Sequence, residues 1–180
     1  MPASPCGDWR RDWDSESDRQ AGRGLKIQES ETVKKQQVLF LCTGNYYRSR
    51  FAEELFNRLA LPGAAGWQAS SRALAENLVN RNVGPISPHT LDGLAARQID
   101  VPFPRRFPRA LQSYELDAAQ HVVALNEREH RPMIAQRFPD WVNSIEYWAF
   151  EDVDIASPAE ILPRLETAVR DLIERLMRQV

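Results

Sequence analysis

Cys42-Thr43-Gly44-Asn45-Tyr46-Tyr47-Arg48-Ser49 sets a thiol, five intervening residues, a guanidinium and a hydroxyl in one short stretch. A loop of this length between a strand and a helix can turn its backbone N–H groups inward as an anion nest. The following helix N-terminus adds free donors and a positive dipole end. Gly44 and Asn45 are the residue types that best tolerate the left-handed backbone such a ring requires. Arg48 can close the ring with a planar fork that grips two oxygens of a tetrahedral oxyanion. An ordinary thiol is only a few per cent thiolate at neutral pH. A nest of donors, Arg48 and the Ser49 hydroxyl would all favour the sulfur anion of Cys42. The expected chemistry is attack by Cys42 on a phosphate held by the amides of Thr43, Gly44, Asn45, Tyr46, Tyr47 and Ser49. The alternative for Cys42 is a buried, inert thiol at a strand end.

The elements around the loop fit that use. Val38-Leu39-Phe40-Leu41 is wholly apolar, the mark of a strand covered on both faces. Phe51, Ala52, Leu55, Phe56 and Leu59 recur at helical spacing, predicting a helix over residues 49–60. Downstream, strands are expected at Trp67 to Ser71, His121 to Leu125 and Ile145 to Phe150. Helices are expected from Ser87-Pro88, as cap and first helical position, from about Glu127 to Arg137, and over Ile161 to Leu176. Val101 to Pro108, with three prolines, reads as a loop. Four strands alternating with helices predict an α/β fold, a parallel sheet flanked by helices on both faces. Sites in such sheets lie at the carboxyl ends of strands, where the Cys42 loop sits.

A chain of 180 residues suits one domain. A formal net charge of −2 provides no basic field for nucleic acid or an anionic membrane, so neither is expected as a partner. No apolar run approaches a membrane span, and Met1 to Trp13 lacks the apolar core of a secretory signal. With only Cys6 and Cys42 there is no disulfide framework, and a cytoplasmic setting is expected. Residues 1–36 are polar, with acidic and basic residues balanced, and read as a disordered N-terminal extension in which Trp9 and Trp13 could dock; residues 37–180 form the domain. His89, His121 and His130 lack metal-ligand spacing and read as structural or solvent-facing; no metal and no cofactor are expected.

Val38 to Phe56 resembles the opening of low-molecular-weight protein tyrosine phosphatases: strand, signature loop, then a helix carrying Ala52, Glu53 and Phe56. The similarity runs over residues 37–180 and is to a divergent bacterial branch of that family. The resemblance implies a flavodoxin-like four-stranded parallel sheet and hydrolysis of aryl phosphates, chiefly protein phosphotyrosine, without a metal. It implies that Cys42 forms a phosphocysteine intermediate while Arg48 and the loop amides hold the equatorial oxygens. The family's acid, an aspartate followed by proline, matches Asp152, with Val153 in place of the proline; Asp154 is the fallback and Glu151 a third candidate. Tyr47 stands where the family often has a second cysteine, and Arg50 replaces a proline. Tyr46 falls where the family walls the substrate ring; for Tyr47, packing against the neighbouring helix is the favoured reading. The network that shapes the family's loop maps onto Asn45, Ser49 and Ser71, with Arg106 in place of its histidine, and Asn126 stands for an aspartate after the third strand.

Substrates would be a phosphorylated protein or a small aryl phosphate, and a monomer or weak dimer is expected. Two competing readings are thioredoxin-coupled arsenate reductase, which needs cysteines beyond Cys42, and a phosphate- or phosphoprotein-binding module with little turnover. Dual-specificity and receptor-type phosphatases place their loop late, after the acid, and precede its cysteine with histidine; here Leu41 precedes Cys42 and the acid follows.

Overall fold

The apolar run becomes β1, Gln36–Cys42, and it is the axis of the molecule. A computed structural model describes residues 35–60, 66–78 and 82–178. The expected extension, with Cys6, Trp9 and Trp13, lies outside the described residues apart from its last two positions. Along β1 the side chains alternate between two cores, as strand geometry demands. Val38 and Phe40 enter one with Phe51, Leu55, Phe56, Leu165 and Val169; Leu39 and Leu41 enter the other with Leu111, Leu116 and Ile134. Phe40 is fully buried, edge-on to Phe56 at 6.1 Å and tilted against Trp148 at 5.9 Å. Burying such a side chain contributes about 2–3 kcal/mol.

The loop after β1 leads into α1, Arg48–Ala60, and then β2, Trp67–Ala73. Helices α2 (Pro88–Ala95) and α3 (Ser113–Ala118) precede β3, His121–Ala124. Then come α4 (Glu127–Arg137), a 3₁₀ turn (Pro139–Trp141), β4 (Glu146–Tyr147) and α5 (Pro158–Met177). The strand order is β2-β1-β3-β4, every pair parallel, the flavodoxin-like arrangement. Helices α1, α2 and α5 supply the first core and α3 and α4 the second, so both faces are covered. The chain passes from β1 to β2 on one side and returns to β3 on the other. The carboxyl end of β1 is therefore the switch point where doubly wound sheets open a crevice. A Cβ on Gly93 would collide with Leu162, so glycine there permits the close approach of α2 to α5.

Three elements differ from expectation. The fourth strand pairs over only two residues, Val123 with Glu146 and Ala124 with Tyr147. Beyond them Ala149 bridges Asn126 in the antiparallel sense and the Phe150 N–H donates to the Leu125 carbonyl at 2.9 Å. The chain thus bends over the carboxyl end of the sheet, which carries residues 150–154 toward the β1 loop. Helix α3 was not expected; a Gln112–Glu115 capping box starts it, with the Gln112 N–H donating to Glu115 Oε2 at 3.1 Å. Ser87 does occupy the N-cap of α2, but its side chain makes no cap bond. Among the described residues no helix is long and apolar enough to cross a membrane.

Candidate active site

Residues 43–47 connect the end of β1 to the start of α1 as a tight turn. Its carbonyls are engaged outward: Leu74 N–H donates to Cys42 O (2.9 Å), Ala75 N–H to Thr43 O (3.0 Å), Ser87 N–H to Tyr46 O (3.0 Å) and the Thr90 hydroxyl to Tyr47 O (3.0 Å). Carbonyls tied to the surroundings leave a turn's amides to face its centre. Asn45 takes the left-handed conformation at φ 49°; Gly44, expected to share it, is not among the positive-φ residues. The turn therefore needs one left-handed position, and a saturated side chain holds it there.

The floor of the turn is tightly bonded. Cys42 is 3% exposed, and its Sγ lies 2.9 Å from Ser49 Oγ. Asn45 Nδ2 donates to Ser49 Oγ at 3.1 Å and to Ser71 Oγ at 2.8 Å. Arg106 stands where the resemblance placed it, donating to Asn45 Oδ1 at 3.0 Å and to Ser71 Oγ at 2.9 Å. Behind it Arg106 pairs with Glu53 of α1, and the Arg50 guanidinium donates to the Arg106 carbonyl at 3.0 Å.

Arg48 opens α1 and is 1% exposed. Its Nη1 donates to the Phe150 carbonyl at 2.9 Å, both terminal nitrogens reach Glu129 Oε2 at 3.1 Å, and Nη2 meets Asp152 Oδ2 at 2.5 Å. Its Nε is buried without a hydrogen-bond partner. Burial alone would lower the guanidinium's pKa, but Cys42, Asp152 and Glu129 together raise it. Glu129 also accepts from the Thr43 hydroxyl, so one carboxylate ties the loop's first residue to its arginine. Its pKa falls to about 2 through His130, Thr43 and Arg48, against the opposing effect of burial. The His130 contact, Nε2 to Oε2 at 3.4 Å, is too long for a strong hydrogen bond, and Thr43 and Arg48 are the firmer partners. His130 is fully buried, its Nδ1 accepts from the Asn126 N–H at 3.0 Å, and burial lowers its pKa. It stays neutral with its proton on Nε2, facing Glu129.

The three acid candidates separate. Asp152 lies across the mouth from Cys42, on Arg48. Asp154 lines the same cleft of about 440 Å³ with Tyr46 and Tyr47. Glu151 turns away to Asn126 Nδ2 at 3.0 Å and Arg128 at 3.3 Å. Val153 N–H donates to Asp152 Oδ1 at 2.8 Å, a bond that a proline at 153 could not make. Tyr46 donates its hydroxyl to the Val83 carbonyl at 2.7 Å. Tyr47 packs into the α1–α2 core at 5% exposure, as its helix-packing reading required, and burial followed by the Asp152 charge pushes its hydroxyl up to about 12. A larger groove of about 730 Å³ beside Leu74 and Arg137 contains none of the loop residues, so size alone does not mark the site.

The structure thus brings Cys42, the loop, Arg48 and Asp152 together. Sequence reasoning missed Glu129 and Glu53. Glu129 had a signal: Asn126-x-x-Glu129 after a buried strand is a capping pattern, and the Glu129 N–H does donate to Asn126 Oδ1 at 3.1 Å. Its side chain, however, turns from the cap to Arg48. Among the described residues no cluster of His, Cys, Asp or Glu could hold a metal ion.

Fold and site together define a doubly wound α/β protein with a tight turn and a buried thiol at the switch point. The profile of the low molecular weight phosphotyrosine protein phosphatase family matches residues 37–180, and the chain belongs to that family. It is accordingly an enzyme, a cysteine-dependent phosphatase. No curated protein sequence matches the chain significantly. Among solved structures it is similar to a low molecular weight protein tyrosine phosphatase from T. tengcongensis, at 23% identity and TM-score 0.63 over 81% of this chain and 100% of that one. It is also similar to the YwlE arginine phosphatase from Geobacillus stearothermophilus, at 23% identity and TM-score 0.59 over 80% and 92%. A cysteine-to-serine mutant of YwlE with a phosphorylated active site serine matches at 20% identity and TM-score 0.62 over 80% and 95%.

Proposed function

We propose that the enzyme hydrolyses aryl phosphate monoesters, protein phosphotyrosine above all, through a phosphocysteine intermediate. Cys42 thiolate attacks phosphorus, the bond to the aryl oxygen breaks, and Asp152 delivers its proton to the departing phenolate. Water then attacks the phosphocysteine, Asp152 takes its proton, the P–S bond breaks and inorganic phosphate leaves. Loop amides and the unpartnered Arg48 Nε stabilise the equatorial oxygens. The Ser49 hydroxyl, 2.9 Å from the sulfur, stabilises it as nucleophile and as leaving group.

The observation that carries this reading is the convergence of Cys42 Sγ, Ser49 Oγ and Arg48 in one closed turn, with the Asp152 carboxylate across its mouth. A relative with phosphate on the serine that replaces its cysteine supports the covalent step. Turnover of p-nitrophenyl phosphate by wild type but not by Cys42→Ser is the expected result. Equal rates would overturn hydrolysis at Cys42, and binding of a phosphopeptide without single-turnover phosphate release would leave a binding module.

Phosphoarginine is a second substrate to weigh, because Asp152 and Asp154 both line the cleft and could pair with a guanidinium leaving group. Two structural relatives are arginine phosphatases. Tyr46, which lines the cleft, favours the aryl ester. Phosphotyrosine and phosphoarginine peptides assayed side by side decide between them, and a higher kcat/KM for phosphoarginine would replace the aryl reading.

A further inference from the structure

Tyr47 brings to the cleft a hydroxyl that the proposed mechanism leaves idle. The residue is 5% exposed, and among the described residues its hydroxyl is buried with no hydrogen-bond partner. A buried donor left unmade costs stability and returns none in the free protein. Its position is nonetheless firmly held. The Tyr47 carbonyl accepts from the Phe51 N–H and from the Thr90 hydroxyl, both at 3.0 Å. The ring packs into the first core and meets His89 edge to face, with centroids 6.0 Å apart. Phenylalanine would fill that space with the same apolar ring and strand no donor. Packing therefore accounts for the ring but not for its oxygen.

Asp152 is the group that this hydroxyl can serve. The two residues line one cleft with Cys42 and Arg48. After burial, the Asp152 charge is the second cause that pushes the Tyr47 pKa up to about 12. The phenol therefore keeps its proton at working pH and is available as a donor. Asp152 Oδ2 rests on Arg48 Nη2 at 2.5 Å. In that ion pair it is a carboxylate, without the proton that the proposed mechanism has it deliver. It also takes up a donor that the phosphoryl oxygens need, so productive binding must turn it off the guanidinium. The backbone is pinned for such a turn. The Asp152 carbonyl accepts from the Ile155 and Ala156 N–H groups at 2.9 and 3.0 Å, so the side chain can swing while the main chain stays.

We propose that Tyr47 is a positioning residue whose hydroxyl receives the Asp152 carboxyl once a phosphoryl group displaces it from Arg48. The proposal rests on the reading of Asp152 as the general acid. Asp152 takes a proton from solvent on leaving the guanidinium. The phenol then donates to one carboxyl oxygen, and the other, carrying the proton, is left facing the departing aryl oxygen. As that proton passes to the aryl oxygen, negative charge returns to the carboxylate. Arg48 is by then engaged with phosphate, and the Tyr47 donor stabilises the charge in its place. Tyr47 keeps its own proton throughout.

The test is the leaving-group dependence of kcat/KM, which reports attack on phosphorus and departure of the aryl oxygen. Tyr47→Phe keeps the loop amide and the ring and removes only the hydroxyl oxygen. For phenyl phosphate, whose phenolate needs a proton, kcat/KM is expected to fall about tenfold, within the reach of one hydrogen bond to a charged group. For dinitrophenyl phosphate, whose leaving group departs unprotonated, the fall should stay under about twofold. In an Asp152→Asn background the same substitution should change the phenyl ester rate less than about twofold, because the group it acts through is gone. Inhibition by inorganic phosphate should also move less than about twofold, and the melting temperature of the free enzyme should hold or rise, a stranded donor having been removed. Equal losses on both esters, or a loss that persists without Asp152, would overturn the proposal in favour of a hydroxyl that shapes the turn. Clearly weaker phosphate inhibition would overturn it too, by assigning the hydroxyl to the oxyanion. If Asp152→Asn is slow on the phenyl ester and Tyr47→Phe is not, the proposal alone fails. If Asp152→Asn is as fast as wild type, the acid and the proposal fail together.

Discussion

The floor and the mouth of the Cys42 turn are built on opposite plans. Below the sulfur, Asn45, Ser49 and Ser71 are fully buried and bonded to one another, and the charges that orient them, Arg106 and Glu53, stand one layer back. Above it, Arg48 is just as buried, but its partners Glu129 and Asp152 are 36% and 38% exposed. Val153, an exposed apolar side chain, lines the cleft beside Asp152. A floor of this kind is preorganised for one sulfur position, which is where catalytic electrostatics gain most. The mouth instead holds two carboxylates on the one guanidinium that the proposed mechanism assigns to the phosphate. On the proposed mechanism, thiol reactivity and substrate capture fall to separate groups, and Arg48, whose charge acts with Cys42, Asp152 and Glu129 alike, is shared by both.

Asp152→Asn should separate the two plans most widely. Loss of the acid is expected to lower kcat for a phenyl ester by about 10²-fold, within the usual range for general acid catalysis. The same change removes a carboxylate from Arg48 Nη2, so inhibition by inorganic phosphate should tighten. The gain is bounded: ion pairs with a solvent-exposed partner are worth up to about 1 kcal/mol, or roughly fivefold. Steady-state kinetics with phosphate as competitor reads both. Weaker phosphate inhibition in the variant would mean that Asp152 assists the anion, and the contrast between floor and mouth would fail at its main point.

The floor was far more legible in the sequence than the mouth. Cys42, Asn45, Arg48 and Ser49 sit within eight residues, where spacing and local backbone preference speak directly, and Val38 to Leu41 announced the strand that presents them. Ser71 and Arg106 came from resemblance, because their bonds to Asn45 span 26 and 61 residues. Glu129 lies 81 residues from Arg48, and its local pattern spells a helix cap rather than a partner. The short β4 was hidden for a related reason. Trp148 and Phe150 are apolar because they pack into the first core, edge to face with each other at 5.7 Å, and not because they continue a ladder. Hydrophobic pattern reports burial; it does not report which backbone bonds accompany it.

A smaller effect, with a sign set by pH, is expected at Glu129. Its pKa lies at about 2, below the ordinary 4.5, so the folded state is favoured by its ionised form above pH 4.5 and loses that contribution as pH falls toward 2. His130, also lowered, adds stability that is present above 6.5 and drains as pH falls below it. Glu129 belongs to the mouth and His130 lies buried behind it, so the mouth should loosen first in acid. Glu129→Gln keeps an acceptor for Arg48 but not the charge. It should lower the urea midpoint at pH 7, with the gap to wild type closing by about pH 2.5, and reduce kcat/KM about tenfold through Arg48. A stability gap that stayed constant from pH 7 to pH 2.5 would show that Glu129 acts by packing rather than by charge.

The finest test is Tyr46→Phe. The tyrosine belongs to the loop by sequence but to the mouth by its contacts, since its hydroxyl donates to the Val83 carbonyl at an exposed position while its neighbour Tyr47 is sunk in the core. An exposed hydrogen bond contributes roughly 0.5–1 kcal/mol net. Losing it should let the segment around Val83 move and raise KM for a phosphotyrosine peptide about two- to fivefold. Asn45, Ser49 and Ser71 make no bond to that hydroxyl, so kcat and Cys42 alkylation should stay within about twofold of wild type. Steady-state kinetics on the peptide and on p-nitrophenyl phosphate separate the outcomes, because an effect confined to peptide capture should spare the small ester. A tenfold fall in kcat on both substrates would show that the Tyr46 side chain shapes the turn itself, and the boundary between floor and mouth would have to be redrawn one residue deeper.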